Sequence, residues 1–320
     1  MRFIPVLSAL LASGLAAKVH IVYQFPLGTW LENTAATRNG SLLVSTIGAA
    51  EVHIVHPSTT PPSSSVLATF PDANAVLGMA EIHQDVFAVA VGTMTPENVP
   101  IAKSFSIWSI DLSCKDEKKK VKKISNIHDV SMVNGLAALN SHTLLLADSW
   151  AGNVVAFDTN TKKSGIVFEH PTLLPDFNAS LPLGVNGLKV HGDYVYYTNT
   201  VQRLVGRVRI YLSTGKPNGP FTNLASGEDI SVPDDLLIAK DGSVYFSAPL
   251  AAPQGDTLQH IALDGRVTAI AHDGLVAGTT ASAFGRTEKD KDVIYLSTMG
   301  GFGEDGKPKA GGRVVAVELN

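Results

Sequence analysis

A strand-plus-turn unit recurs six times along this chain. The copies are Leu42-Leu43-Val44-Ser45-Thr46, Phe87-Ala88-Val89-Ala90-Val91-Gly92, Leu144-Leu145-Leu146-Ala147-Asp148-Ser149, Val195-Tyr196-Tyr197-Thr198-Asn199-Thr200, Val244-Tyr245-Phe246-Ser247 and Ile294-Tyr295-Leu296-Ser297-Thr298, starting 45 to 57 residues apart. A period of this size marks a repeat architecture. Six copies of a unit punctuated by Gly, Asn, Asp and Ser turns predict an all-β fold, a six-bladed β-propeller with four-stranded antiparallel blades. Blade three shows the scheme, with an inner strand at 134–139, a turn at Asn140-Ser141-His142, a second strand at 144–147 and a third at 154–157. In blade five Asp241-Gly242 is the hairpin turn. The segment 19–25 precedes blade one and is expected to pair with 314–319, closing the ring and protecting its edges.

The repeat runs nearly from end to end of the 320 residues, which implies a single propeller over 18–320. Residues 1–17 have a different character. Arg2, an apolar stretch and Gly14-Leu15-Ala16-Ala17 make a secretory signal peptide the expectation, with the protein in the secretory pathway or extracellular. No other stretch approaches the roughly 18 apolar residues of a spanning helix, so membrane insertion is not expected. The net charge of −4 without a basic face argues against nucleic acid as a partner.

Cys114 is the only cysteine, so no internal disulfide can form. Sequons at Asn39 and Asn178 fall in turns or loops and are candidate glycosylation sites. Lys115, Lys118, Lys119, Lys120, Lys122 and Lys123 are expected on a solvated hairpin tip. The spacing of Gly301, Gly303 and Gly306 matches a dinucleotide loop only formally, because no helix follows. His53 and His56 read as surface strand residues. No Gly-x-Ser-x-Gly, His-Glu-x-x-His or Cys-x-x-Cys motif is present, which argues against an α/β-hydrolase or a zinc enzyme of those types.

In a propeller the inner strands line the axis, so polar residues at equivalent blade positions converge. These are Glu32 and Asn33, Asn134, Asn186, and Asp234 with Asp235; the start of the second turn adds Asp148, Ser149 and Trp150, Asn199, Ser247, and Thr298 with Met299. Two carboxylates and two amides so placed have the hard oxygen donors that a divalent cation prefers, and Asp234 could act as a base. Taken singly, each reads as a turn residue at a strand start; the case for a site rests on all four together. Trp30, Met79, Trp150, Met299 and Phe302 fall near the axis as well, and no Lys or Arg is placed to hold a sugar carboxylate or phosphate. As a group they suit an apolar small molecule.

These residues carry a family resemblance over nearly the whole of 18–320. Tyr23-Gln24-Phe25-Pro26, Trp30-Leu31-Glu32-Asn33, Asn134-Gly135-Leu136, Asn186-Gly187-Leu188, Pro233-Asp234-Asp235 and Ala283-Phe284-Gly285-Arg286-Thr287 resemble fungal members of the regucalcin/gluconolactonase propeller superfamily. For its metal-dependent members, the resemblance implies Glu32, Asn134, Asn186 and Asp234 as ligands of a divalent cation such as calcium. Asp235 departs from the pattern, since the lactonases typically carry Gly there.

In length, leader and blade motifs the chain also resembles the hetero-Diels–Alderases of fungal tropolonic sesquiterpenoid pathways. These join a tropolone-derived quinone methide to a humulene-type terpene and require no cofactor. For such a reaction Ser149, the Trp150 indole N–H, Asn186, Asn199 and Thr298 are the candidate donors by blade position, and Asp234 could orient them, which makes these six the catalytic candidates. Trp30, Met79, Asp148, Asp235, Met299 and Phe302, near the axis by blade position, are the expected substrate-binding set. Cycloaddition is the first reading; lactone hydrolysis and non-catalytic binding remain the alternatives.

Overall fold

The second strand of each repeat is an almost unbroken apolar run because both of its faces are covered. Leu144 and Leu146 pack with Ala88, Ala90 and Ile107 on one side, while Leu145 and Ala147 pack with Leu188, Val195 and Tyr197 on the other. Alternation of side chains across a strand thus serves two neighbours at once.

The computed structural model describes residues 17–250, 255–272, 274–303 and 305–319. The leader read at 1–17 lies, but for Ala17, outside the described residues. Among those described, 24 strands form four four-stranded sheets and one eight-stranded sheet. The large sheet is two four-stranded sets joined by a single residue pair, Ile47 with Ala75.

The six resulting blades run in chain order. Blade one is Trp30–Ala36, Leu42–Ile47, Glu51–His56 and Ser63–Thr69. Blade two is Ala75–His83, Val86–Gly92, Ser106–Asp111 and Val121–Asn126; blade three is Val133–Ala138, Thr143–Asp148, Asn153–Asp158 and Ser164–Glu169. Blade four is Val185–His191, Tyr194–Asn199, Leu204–Ile210 and Pro217–Ser226. Blade five is Leu236–Ile238, Val244–Ala248, Thr257–Ile261 and Val267–His272. Blade six is Thr279–Phe284, Val293–Thr298, Arg313–Glu318 and, as its outermost strand, Lys18–Gln24.

The N-terminal strand closes the ring with a register from Lys18 opposite Glu318 to Gln24 opposite Arg313. Each inner strand neighbours those of the blades before and after it, around the full circle. Six hydrophobic clusters among the described residues correspond one to one with the six blade–blade interfaces.

Inner strands carry β-bulges where the axis needs them. Register shifts fall between Leu31 and Thr34, Val76 and Met79, Val133 and Leu136, Val185 and Leu188, and Thr279 and Ala281. A bulge re-aims the extra residue, here Glu32, Asn134 or Asn186. The glycine beside it allows the next blade to approach closely. A Cβ on Gly78 would sit 2.3 Å from the Asn134 carbonyl, one on Gly135 2.1 Å from the Asn186 carbonyl, and one on Gly187 2.7 Å from Asp235 Cα.

Outside the axis, Glu117–Lys120 is a one-turn helix with Asp116 as its cap and no buried residue, between the outer two strands of blade two. Phe302 bridges Pro308, and no helix follows Gly301, Gly303 and Gly306 among the described residues. His53 pairs with Glu51 at 2.9 Å and His56 with Ser41 at 2.9 Å. Asn39 and Asn178 are both exposed. No described helix is long and apolar enough to cross a membrane.

Gly135→Ala is expected to lower stability by about 1–3 kcal/mol through overpacking against a backbone that cannot retreat. Gly165→Ala, with nothing within 4 Å of the added carbon, should leave the melting temperature essentially unchanged. Paired thermal or denaturant unfolding curves check both.

Candidate functional site

Bulges at one end of three inner strands, and the residues just before the inner strand of blade five, bring polar groups of four blades to a single cavity of about 520 Å³. Glu32, Asn134, Asn186 and Asp234 all line it, as do Trp30, Trp150, Met299 and Phe302. Met94, Met132, Leu181 and Val232 add apolar wall, and no Lys, Arg or His lines it among the described residues. Trp30 meets Phe302 edge-on at 6.1 Å, and Trp150 meets Phe177 likewise at 5.2 Å.

The remaining candidates lie elsewhere, for reasons of strand register. Ser149 is fully buried and donates to the Val185 carbonyl in the next blade. Asn199 donates to the carbonyls of Thr172 and Leu174, both at 3.0 Å. Thr298 accepts from the backbone N–H groups of Gly300 and Arg313. Asp148 accepts from Ser131, Met132 and Ala151 N–H groups and so fixes its own turn. Met79 sits within a strand, in the cluster between blades one and two, and lines a second cavity of about 450 Å³ at the other end of the inner strands. Each of these five side chains serves a turn, a loop or the blade packing rather than the cavity.

Asp235 lies behind the cavity rather than in it. Lys189 Nζ donates to its two oxygens at 2.7 and 2.8 Å, Asn33 Nδ2 at 3.2 Å and its neighbour Leu236 N–H at 2.8 Å. Lys189 lines the second cavity, so this ion pair stands between the two. Neither Lys189 nor Thr200 was among the sequence candidates. Thr200 does line the first cavity, one residue along from the expected Asn199. The only sequence signals were a lone lysine in the apolar run Leu188-Lys189-Val190 and the i, i+2 pair Thr198 and Thr200.

The polar residues of the first cavity differ in how they are held. Trp30 Nε1–H donates to Glu32 at 2.8 Å. Asn186 Nδ2–H donates to Thr200 Oγ1 at 2.9 Å. The Asn134 amide and the Trp150 indole N–H have no hydrogen-bond partner among the described residues, so both are available to a ligand.

Burial pushes the Glu32 carboxyl up from its ordinary 4.5 to about 7; the Trp30 hydrogen bond opposes this and the Asp235 charge adds to it. Asp234 is raised well above the usual range, first by burial, then by the charges of Glu32 and Asp235, against a hydrogen bond with Asn186. Its side chain keeps partial exposure because it opens into the cavity.

Among the described residues no three of His, Cys, Asp and Glu gather as metal ligands. A cation here would therefore depend on amide oxygens as well as the carboxyls of Glu32 and Asp234; the third carboxyl of the lining, Glu97, is exposed. The donor set fits one: hard oxygens, an Asn134 amide that no protein group satisfies, and two carboxyls that lack a basic neighbour in the cavity.

No family model matches the chain. In sequence it is similar to a protein of Sarocladium schorii provisionally named hetero-Diels-Alderase asR5, 24% identical over 318 residues, covering 87% of this chain and 77% of that one. It is also similar to a Phoma protein with the provisional name hetero-Diels-Alderase, 26% identical over 305 residues, covering 87% and 85%. In structure it is similar to luciferin-regenerating enzyme (TM-score 0.67, 14% identity, 95% of each chain). It is likewise similar to the calcium-binding protein regucalcin of Agrobacterium tumefaciens (TM-score 0.63, 15% identity, 95% of each chain). At these identities the solved structures speak for the propeller fold alone.

Glu32 and Asp234 bind protons more tightly in the folded than in the unfolded chain. Their contribution to stability is therefore fully present below the ordinary carboxyl value and is lost as pH rises, for Glu32 through about 7. EDTA-treated protein should melt at a higher temperature at pH 5.5 than at pH 8, and Glu32→Gln should flatten that difference. Calorimetry across the range checks the sign.

Proposed function

We propose that the chain catalyses a hetero-Diels–Alder cycloaddition in the axial cavity, joining a tropolone-derived quinone methide to a humulene-type sesquiterpene. The observation that carries this reading is the chemistry of the cavity. Apolar, aromatic and methionine walls surround a small set of convergent polar groups, with no basic side chain among the described residues. Such a site suits neutral partners and gives no counter-charge to an anionic sugar acid. The names of the two sequence relatives support the same reaction class.

The physical demands of the reaction match these groups. A heterodiene and an alkene form two σ bonds in a cyclic shift of electrons, and no proton needs to move. Holding both partners face to face contributes several kcal/mol by orientation alone, up to about 7–11 kcal/mol in the best cases. Donors aimed at the heterodiene carbonyl stabilise the charge that grows there. The Asn134 amide and Trp150 indole N–H supply that donation, and Glu32 and Asp234 add O–H donors while they hold their protons. Met94, Met132 and Met299 adapt to the shape of an apolar terpene.

One observation favours a second reading, a metal-dependent lactone hydrolase: the oxygen set of Glu32, Asn134, Asn186 and Asp234. These residues would hold a calcium-like cation, which when bound supplies polarisation of a lactone carbonyl or a more acidic water. In that reading Asp234 serves as the base.

EDTA-treated protein is expected to form the cycloadduct from the two partners faster than buffer does. Asn134→Leu should lower that rate about 10- to 100-fold by removing a donor. Asp234→Asn should retain part of it, because an amide N–H replaces the acid O–H. Lactone hydrolysis that EDTA abolishes and Asp234→Asn removes would overturn the cycloaddition reading in favour of the second. No rate above buffer on either substrate class would leave a binding propeller.

A further inference from the structure

Adjacent blades are tied together across the axis by hydroxyls on their second strands. Ser45 accepts from Asn33 N–H at 3.0 Å and donates to the Leu77 carbonyl of blade two at 3.2 Å. Thr198 accepts from Gly187 N–H at 2.7 Å and donates to the Asp234 carbonyl of blade five. These are backbone-to-backbone staples, and they sit opposite the bulge.

Two residues further along the second strands stand Ile47, Gly92, Ser149, Thr200, Pro249 and Met299. Only two of these carry a hydroxyl. Ser149 makes one bond, to the Val185 carbonyl. Thr200 makes two: it donates to the Pro233 carbonyl at 2.9 Å and accepts the Asn186 side-chain N–H at 2.9 Å. It is 3% exposed and lines the first cavity.

We propose that Thr200 is a positioning residue, whose hydroxyl sets which end of the Asn186 amide faces Asp234 and anchors the peptide before Asp234 to the same point. The inference rests on the cycloaddition reading for its rate measurement but not for its structural one. An asparagine amide can exchange its N–H and C=O ends by a half-turn of the terminal torsion. Thr200 resolves that choice because its single proton is committed to Pro233, which leaves only a lone pair for the amide. Asn186 must then present nitrogen to Thr200. Thr suits the role, since its branched side chain restricts χ1. Without the hydroxyl, Asn186 loses its reference and the Pro233 carbonyl its donor, while the blade staple at Thr198 remains.

The test uses full-length Thr200→Val and Thr200→Ala, with Thr200→Ser as the conservative rescue. Protein labelled on asparagine side-chain nitrogens reports the Asn186 amide directly by NMR, its signals identified by their loss in Asn186→Asp. Those signals are expected to shift in both hydroxyl-free variants and to return in Thr200→Ser. For the cycloaddition, kcat should fall about 10- to 100-fold from misplacement with KM changed less than about twofold, and Thr200→Ser should recover most of the loss. Unaltered Asn186 signals in a folded hydroxyl-free variant, or wild-type kcat in it, would overturn the proposal. A wild-type protein without cycloaddition activity would sink the functional reading instead and leave the NMR result to decide the role of Thr200.

Discussion

Everything in this molecule depends on wedges that are covered on both faces. A single four-stranded blade exposes two apolar surfaces and cannot bury either by itself. Leu42 and Val44 turn toward blade six while Leu43 turns toward blade two, and the same division recurs around the circle. Burying one such side chain is worth about 1.5–3 kcal/mol, and only the complete ring captures that gain on both faces of every blade. The requirement also sets the inner diameter. Where Gly78, Gly135 and Gly187 let neighbouring backbones touch, the bulges at Gly135 and Gly187 point Asn134 and Asn186 inward.

Much of this was legible in the chain because the repeat is written in the second strands. A doubly covered strand must be apolar at successive positions, and six such runs at a steady period describe a ring. Closure was legible from order along the chain: 19–25 precedes the first repeat, and the apolar run Val314-Val315-Ala316-Val317 at the other end needs a partner on each side. The four axial residues Glu32, Asn134, Asn186 and Asp234 could be found by matching blade positions. Their convergence follows from circular symmetry rather than from any local motif.

What the sequence concealed lies at the resolution of one residue. Thr200 faces the cavity while its neighbour Asn199 faces the loop at 172–174, because a strand reverses direction at every step. Asp148 and Ser149 resemble functional residues in composition, yet backbone groups consume both. Lys189 gave no sign of its partner, since the approach of blade four to blade five at Gly187 is a tertiary fact. The pull of burial on Glu32 and Asp234 is also invisible in sequence, because it arises from the walls around them rather than from their neighbours along the chain.

The outermost strand of the final wedge comes from the opposite terminus, and this has a consequence for assembly. A nascent chain leaving the ribosome carries Lys18–Gln24 long before its partner Arg313–Glu318. Until Arg313–Glu318 has emerged that early strand has no mate, and the opening between first and last wedges exposes greasy flanks. The decisive step therefore waits for Arg313–Glu318 to emerge, when the two strands meet and the belt is buckled. Until then any helper protein that shields the leading segment protects the future seam.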